Sequence, residues 1–172
     1  FWIRAKLRLI DTLLGSLKMS NAKILDIGCG TGEDLEVLNR YGKVYAIDTE
    51  KRALDTLPRH LYAGKKQCSA ESIPFKSESF DIAVAFDAIE HVKDDRKAVS
   101  EVWRLLRRGG YFVFTVPAFQ ALYSAHDKAL GHYRRYSKAM LLHLLGDFEI
   151  KRLGYWNSSL FLPLAIFRIV RR

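Results

Sequence analysis

The run Ile24-Leu25-Asp26-Ile27-Gly28-Cys29-Gly30-Thr31-Gly32-Glu33-Asp34 constrains this chain more than any other stretch of it. Its apolar opening reads as a buried strand, and a Gly-x-Gly-x-Gly turn then leads into a helix. Glycines at a strand-to-helix turn let a ligand approach the backbone where a Cβ would block it. Asp48 closes the next apolar run, twenty residues after Gly28. A carboxylate at that strand tip is placed to accept the two hydroxyls of a ribose. The combination implies an adenosine-containing ligand.

Charge then discriminates among such ligands. A dinucleotide site takes G-x-G-x-x-G and seats a pyrophosphate on the helix N-terminus. Here the sixth position is Glu33 and Asp34 follows, while Asp26 precedes the first glycine. Carboxylates in the first turn suit the helix dipole but repel a pyrophosphate. A ligand carrying an ammonium and a sulfonium suits them, so S-adenosylmethionine is expected ahead of NAD.

The rest of the chain alternates short apolar runs with helical patterns. Strands are expected at 23–28, 43–48, 65–69, 81–86 and 111–116, with a sixth at about 147–156. Helices are expected at 2–17, 32–40, 50–57, 94–106 and 137–145, the first with Ile3, Leu7, Ile10, Leu14 and Leu17 on one face. Such alternation predicts an α/β fold: a Rossmann-like, doubly wound, mostly parallel sheet with helices on both faces and ligands at the carboxyl ends of its strands. A length of 172 residues suits a single domain. It divides into an N-terminal amphipathic helix (1–20), a cofactor-binding core (22–117) and a substrate-side lid with a C-terminal segment (118–172).

Ordered along the core are Leu25-Asp26-Ile27-Gly28-Cys29-Gly30-Thr31-Gly32, Ala46-Ile47-Asp48, Ser69-Ala70-Glu71-Ser72-Ile73-Pro74-Phe75, Phe80-Asp81-Ile82-Ala83-Val84, Ile89-Glu90-His91-Val92 and Leu105-Leu106-Arg107-Arg108-Gly109-Gly110. This ordered set resembles the small type 11 class I S-adenosylmethionine-dependent methyltransferases. The segment from Ser124 to Asp127 and on through Gly131 to Tyr136 is similar to a bacterial and archaeal subgroup of them. The resemblance implies a sheet that closes with a seventh, antiparallel strand, for which there is no good candidate before Arg172, so either an incomplete sheet or a shortened chain is expected. It also implies roles for residues. Asp26 lies near the methionine ammonium, Gly28, Cys29, Gly30 and Gly32 pass beneath the methionine part, and Asp48 with Thr49 lies at the ribose. Ala70 offers its N–H to the adenine, flanked by Ser69 and Glu71. Asp87 faces the cofactor side or caps a helix.

Methyl transfer demands alignment of the nucleophile and exclusion of water, and a base only when the acceptor arrives protonated. His91, His126 and His132 are the candidates for that proton. The long segment 117–136 is rich in Tyr, His and Arg and reads as a lid. Tyr123, Asp127, Arg134, Arg135 and Tyr136 are its candidate substrate contacts. Of the two adjacent arginines, one is expected to point inward and the other to pair elsewhere, with Asp127 the named partner. His126, Asp127 and His132 lack a well-spaced third metal ligand, so no metal is expected.

Net charge separates the two halves. Residues 1–102 hold sixteen Lys/Arg and sixteen Asp/Glu, whereas 103–172 hold twelve against three, so the whole +9 lies there. That bias suggests an anionic acceptor or a solvated basic face; Arg107 and Arg108 are expected to complement a helix C-terminus. No Asn/Asp-Pro-Pro-aromatic follows the fourth strand, where Asp87-Ala88-Ile89-Glu90 stands instead, and Cys29 and Cys68 are ill placed as nucleophiles, so nucleic acid is not the expected substrate. A small-molecule or lipid-linked acceptor is. The two cysteines read as small buried thiols of a reducing, cytoplasmic compartment. Arg4, Lys6 and Arg8 break the apolar residues of the N-terminus, unlike a secretory leader. The absence of an initial Met suggests a trimmed or internal start. The apolar, basic-ended stretch 160–172 suits core packing, a homodimer contact or a peripheral membrane contact. A cofactor-binding protein without turnover and an NAD-linked oxidoreductase are the alternatives to an enzyme of methyl transfer.

Overall fold

The computed structural model describes residues 2–156. Five parallel strands, β1 (Ala22–Ile27), β2 (Gly42–Asp48), β3 (Gly64–Gln67), β4 (Phe80–Phe86) and β5 (Leu106–Thr115), form one sheet in the order β3-β2-β1-β4-β5. Around it lie α1 (Trp2–Ser16), α2 (Leu35–Asn39), α3 (Lys51–Asp55), α4 (Asp95–Leu105), α5 (Ala125–Ala129) and α6 (Lys138–Leu144).

The central strands are buried on both faces, as a parallel sheet under two helical layers requires. Alternation sorts their side chains. Ile24, Val44, Ala46, Ile82 and Val84 face one layer with Ile10 and Leu14 of α1, Leu35, Val37 and Leu38 of α2 and Leu54 of α3. Leu25, Ile27, Ile47, Ala83 and Ala85 face the other with Ala98, Val102 and Leu105 of α4 and Leu141 of α6. At about 1.5–3 kcal/mol for each large apolar side chain removed from water, this sandwich supplies the driving force that holds the sheet between the layers. Chain order reverses between β1 and β4, which makes their carboxyl ends the topological switch point.

Three expectations change. Residues 147–156 form no strand; among the described residues β5 is the edge of the sheet opposite β3. That segment is held by its rings instead of by a backbone ladder. Phe148 packs on Trp103 and Phe112, Tyr155 stacks on Phe119, and Trp156 meets Trp2. Next, Arg107 and Arg108 belong to β5 and not to the end of α4. The β4–β5 register jumps between Phe80↔Leu106 and Ile82↔Tyr111, so Arg107 to Gly110 bulge out of the ladder. Arg107 then reaches the Asp81 carboxylate at 2.8 Å. Finally, α2 starts at Leu35 and not at 32, because Gly32 sits at φ 83° and cannot open a right-handed helix. No described helix is long and apolar enough to cross a membrane. The stretch 160–172, with its three expected uses, lies outside the described residues.

Candidate active site

A cleft of about 520 Å³ opens at the carboxyl ends of the strands, beside the β1–β4 switch point. Among the described residues its wall includes Gly28, Asp48, Thr49, Ser69, Ala70, Glu71, Asp87, Ala88, His91, Lys93 and Tyr133. The β1 turn forms the floor. Gly28 has φ 72°, and a Cβ there would stand 2.6 Å from the Cβ of Ala88, so the loops after β1 and β4 touch only because it is glycine. Gly30, also at positive φ, donates its N–H to Asp48 Oδ2 at 2.9 Å, and Glu50 N–H donates to Asp48 Oδ1 at 2.8 Å. The carboxylate that closes β2 is thereby fixed against the glycine turn.

Asp26 lies beneath this floor in β1 and is 2% exposed. Its Oδ2 has no hydrogen-bond partner among the described residues. Burial, then Asp34, then Asp48 push the carboxyl up to about 8, against the opposing pull of Lys6. Lys6 of α1 spends its ammonium on Asp34, at 2.9 Å. A buried carboxyl oxygen without a partner is costly unless a donor or cation meets it. An ammonium-bearing ligand in the cleft would do so. The wall carries three carboxylates, from Asp48, Glu71 and Asp87, against the single ammonium of Lys93. That balance repels a pyrophosphate, although Asp34 contributes less to it than its position in the sequence suggests. The residues present are compatible with S-adenosylmethionine, with the Asp48 carboxylate on the wall; Asp26 lies beneath the glycine turn and does not itself line the cleft.

Further along the wall, Ala70 is 8% exposed and flanks the space beyond Asp48. Ser69 Oγ accepts from Glu71 N–H at 3.1 Å, and Glu71 Oε1 accepts from Asp94 N–H at 2.9 Å, so both side chains brace their loop. Asp87 lies in the left-handed region at φ 54°, and Thr115 Oγ1 donates to its carboxylate at 2.9 Å. Backbone strain of this kind next to a cleft is characteristic of ligand sites. Asp87 caps no helix, since the following 3-10 turn is preceded by Ala88. Cys29 and Cys68 are half-buried free thiols, both pushed above the ordinary cysteine range by burial, and so poor nucleophiles.

The lid residues divide. His91 lines the cleft, and the His132 ring meets it edge-on with centroids 4.7 Å apart. Burial and the facing His132 hold the His91 imidazole below its ordinary pKa. His126 is exposed on α5 and does not line the cleft. Neither expected arginine lines it either. Arg135 is buried and binds Asp127, Nε and NH2 both reaching Oδ1, at 2.8 and 2.7 Å. Arg134 pairs with Asp95 at 2.8 Å and donates to the Lys93 carbonyl. The reason is burial: Asp127 is 0% exposed and demands a counterion, and Asp95 opens α4 directly beneath the lid. Tyr136 is buried with its hydroxyl donating to Asp95 at 2.9 Å, and Tyr123 donates to the His132 carbonyl at 2.7 Å. All five of the expected substrate contacts are thus committed to holding their own segment in place. Tyr133 and Lys93, unread in the sequence, occupy the rim in their place.

Two more residues escaped the sequence. Lys6 sits on a helix whose amphipathic pattern reads as simple packing. Glu90 is 1% exposed between Ile89 and Val92; its Oε2 also lacks a hydrogen-bond partner among the described residues, and burial pushes the carboxyl up to about 8. An acid set in a short apolar run just past a strand is the signal that marks it. Glu90, His91 and His132 bring one donor atom each to within 4.8 Å of one another.

Comparison with known proteins agrees with this geometry. The type 11 family model, described as a methyltransferase domain, matches residues 25–114. The chain belongs to that family of class I S-adenosylmethionine-dependent methyltransferases. It is 39% identical over 95 residues to protein MJ1252 of Methanocaldococcus jannaschii, which covers 54% of this chain and 36% of the relative. It is 30% identical over 117 residues to a ubiquinone biosynthesis O-methyltransferase of Thiobacillus denitrificans, covering 64% and 49%. The chain thus spans half or less of the length of these two relatives. Among solved structures, the YcgJ protein of Bacillus subtilis superposes with a TM-score of 0.71 at 24% identity, covering 80% of this methyltransferase-family chain and 66% of YcgJ. The [4+2]-cyclase SpnF superposes with a TM-score of 0.68 at 23% identity, covering 84% and 57%. Both likenesses speak for the fold alone.

Proposed function

We propose that this protein transfers a methyl group from S-adenosylmethionine to a small acceptor at the His91–Lys93–Tyr133 rim. The observation that carries the reading is the unpartnered, buried carboxyl oxygen of Asp26 beneath a glycine turn whose Gly28 leaves no room for a Cβ beside Ala88. The cofactor supplies an activated methyl group, and the protein's share is to bind, orient and keep out water. Asp26 and Asp48 hold the two ends of the cofactor, and the loops after β1 and β4 set the floor. In the metal-free protein His91, whose imidazole is held below its ordinary pKa, is the group available to take an acceptor proton. The relative from Thiobacillus denitrificans is an O-methyltransferase, which supports an oxygen acceptor.

The acceptor is an anionic small molecule in this reading. Lys93, and not Arg134 or Arg135, is the cation that the rim offers it. The apolar run Leu160 to Ile169 with its basic end supports a lipid-linked acceptor as a variant of the same reading. Incubation of the purified protein with methyl-labelled S-adenosylmethionine and a fractionated cell extract tests it. Label is expected in a small molecule, and Asp48→Ala should weaken cofactor binding by about 1.5–3 kcal/mol, the scale of a charged hydrogen bond. Cofactor binding with no label transferred under any fraction would leave a binding protein without turnover. Failure to bind S-adenosylmethionine at all would overturn the reading.

A further inference from the structure

We infer that Glu90, His91 and His132 bind one divalent transition-metal ion at the acceptor edge of the cleft, and that the ion's remaining positions take an oxygen chelator. The three donor atoms already lie within 4.8 Å of one another. Bonds of about 2.0–2.2 Å to imidazole nitrogen and carboxylate oxygen close such a set with movements of about an ångström. Two imidazoles and a carboxylate are the donor set that suits Zn²⁺, Fe²⁺ or Co²⁺ while leaving positions open.

Burial supplies a second, independent observation. Glu90 is 1% exposed and its Oε2 has no hydrogen-bond partner among the described residues. The cations that could relieve it are committed elsewhere, Lys6 to Asp34 and Arg135 to Asp127. An unpaired buried carboxylate oxygen is expensive, and a metal bond is a standard way to satisfy it.

The outer contacts are those of a prepared ligand. His132 Nδ1 meets Asp127 Oδ1 at 3.2 Å, and Asp127 is itself fully buried and anchored by Ser124 and Arg135. A carboxylate on one ring nitrogen fixes the imidazole's orientation and directs the other nitrogen to a metal. Tyr133 N–H donates to the Glu90 carbonyl at 2.8 Å, which ties the lid segment to the β4 loop and keeps the two halves of the site together. The buried Asp127–Arg135 pair thus acquires a purpose that substrate binding does not give it. His91 lines the cleft, so the open positions of the ion face the acceptor side. This last point, and with it the oxygen-chelating class of acceptor, rests on the methyltransferase reading; the metal site does not.

Titration of the apoprotein with Co²⁺, followed by visible absorption, tests both parts. One ion per chain with micromolar affinity is expected, weakened at least tenfold by His91→Ala and by the isosteric Glu90→Gln, and unaffected by His60→Ala on a remote exposed turn. Circular dichroism of each variant establishes that it is folded. Binding that is weaker than millimolar, or that survives both substitutions, overturns the site. Addition of catechol to the cobalt-loaded protein should shift the absorption bands. An unmoved spectrum would overturn the acceptor half while the metal site stands. S-adenosylmethionine affinity, measured separately by calorimetry, reports on the methyltransferase reading independently of either result.

Discussion

Asp26 is the residue on which the chemistry and the stability of this protein meet. Its carboxyl stays protonated in the folded chain up to about pH 8, while in the unfolded chain it ionises near the ordinary 3.8. Folding therefore takes up a proton between those two values, and stability falls as pH rises through that window, by up to about 1.4 kcal/mol per pH unit. Glu90, raised in the same way and to a similar value, adds a parallel slope in the metal-free protein. Asp26→Asn should remove one of the two slopes and raise the melting temperature at pH 8, as urea unfolding across pH 4–9 would measure. An ammonium ligand needs the ionised form, so cofactor binding should strengthen from about pH 6 to pH 8 and release a proton. Calorimetry in buffers of different ionisation enthalpy reads that proton directly; in Asp26→Asn the release should disappear and the affinity should drop.

At the scale of elements, the segment from Ser124 to Tyr136 is strapped down and not a loose loop. Asp127 of α5 accepts from Ser124 N–H in a capping box, meets His132 and binds Arg135. Arg134 fastens the same segment to the start of α4. These two arginines are adjacent in sequence but unequal in energy. Removing Arg135 leaves a fully buried carboxylate without its guanidinium, and Arg135→Ala should cost about 3–5 kcal/mol. Arg134 and Asp95 keep 21% and 20% of their side chains exposed, so Arg134→Ala should cost less, about 1–2 kcal/mol. Chemical denaturation of the two variants measures the contrast; equal losses would show that burial does not set the difference. Cofactor affinity should stay unchanged in Arg134→Ala, because neither arginine lines the cleft.

Over the whole molecule, the basic second half is knitted back to the acidic residues of the first. Arg104 binds Glu101, Arg107 binds Asp81 and Arg134 binds Asp95. The +9 net charge is therefore not a uniform attractive face, and among the described residues Lys93 is the one ammonium on the cleft wall. A ligand that binds only the folded chain stabilises all of it by mass action. At a hundredfold excess over Kd, S-adenosylmethionine should add about 2.7 kcal/mol, which for a chain of this size raises Tm by about 5–10 °C. NAD at the same concentration should leave Tm unchanged, because three carboxylates on the cleft wall oppose its pyrophosphate.

What the sequence determined by itself were the features set by local rules. Apolar runs of strand length, glycines demanded by a turn and Asp48 at a strand tip identified the parallel sheet, the cleft at its carboxyl edge and the class of cofactor, because each depends on a few neighbouring residues. Strands β1 to β4 and helices α1, α4 and α6 lie within three residues of where their periodicity puts them. Only the tertiary structure decided which polar groups are spent on one another. Lys6 and Asp34 lie twenty-eight positions apart, Arg134 and Asp95 thirty-nine, and no spacing rule links them. Burial also settled the two arginines: the fully buried Asp127 holds Arg135, a pairing the sequence anticipated, while Asp95 takes Arg134, so neither is left to point inward. It also assembled Glu90, His91 and His132 from two segments separated by forty residues. The physical reason is common to all of these cases: the cost of an unpaired charge away from water is settled by whichever partner the fold brings near, and that proximity is written in the packing of the sheet and not in the order of the chain.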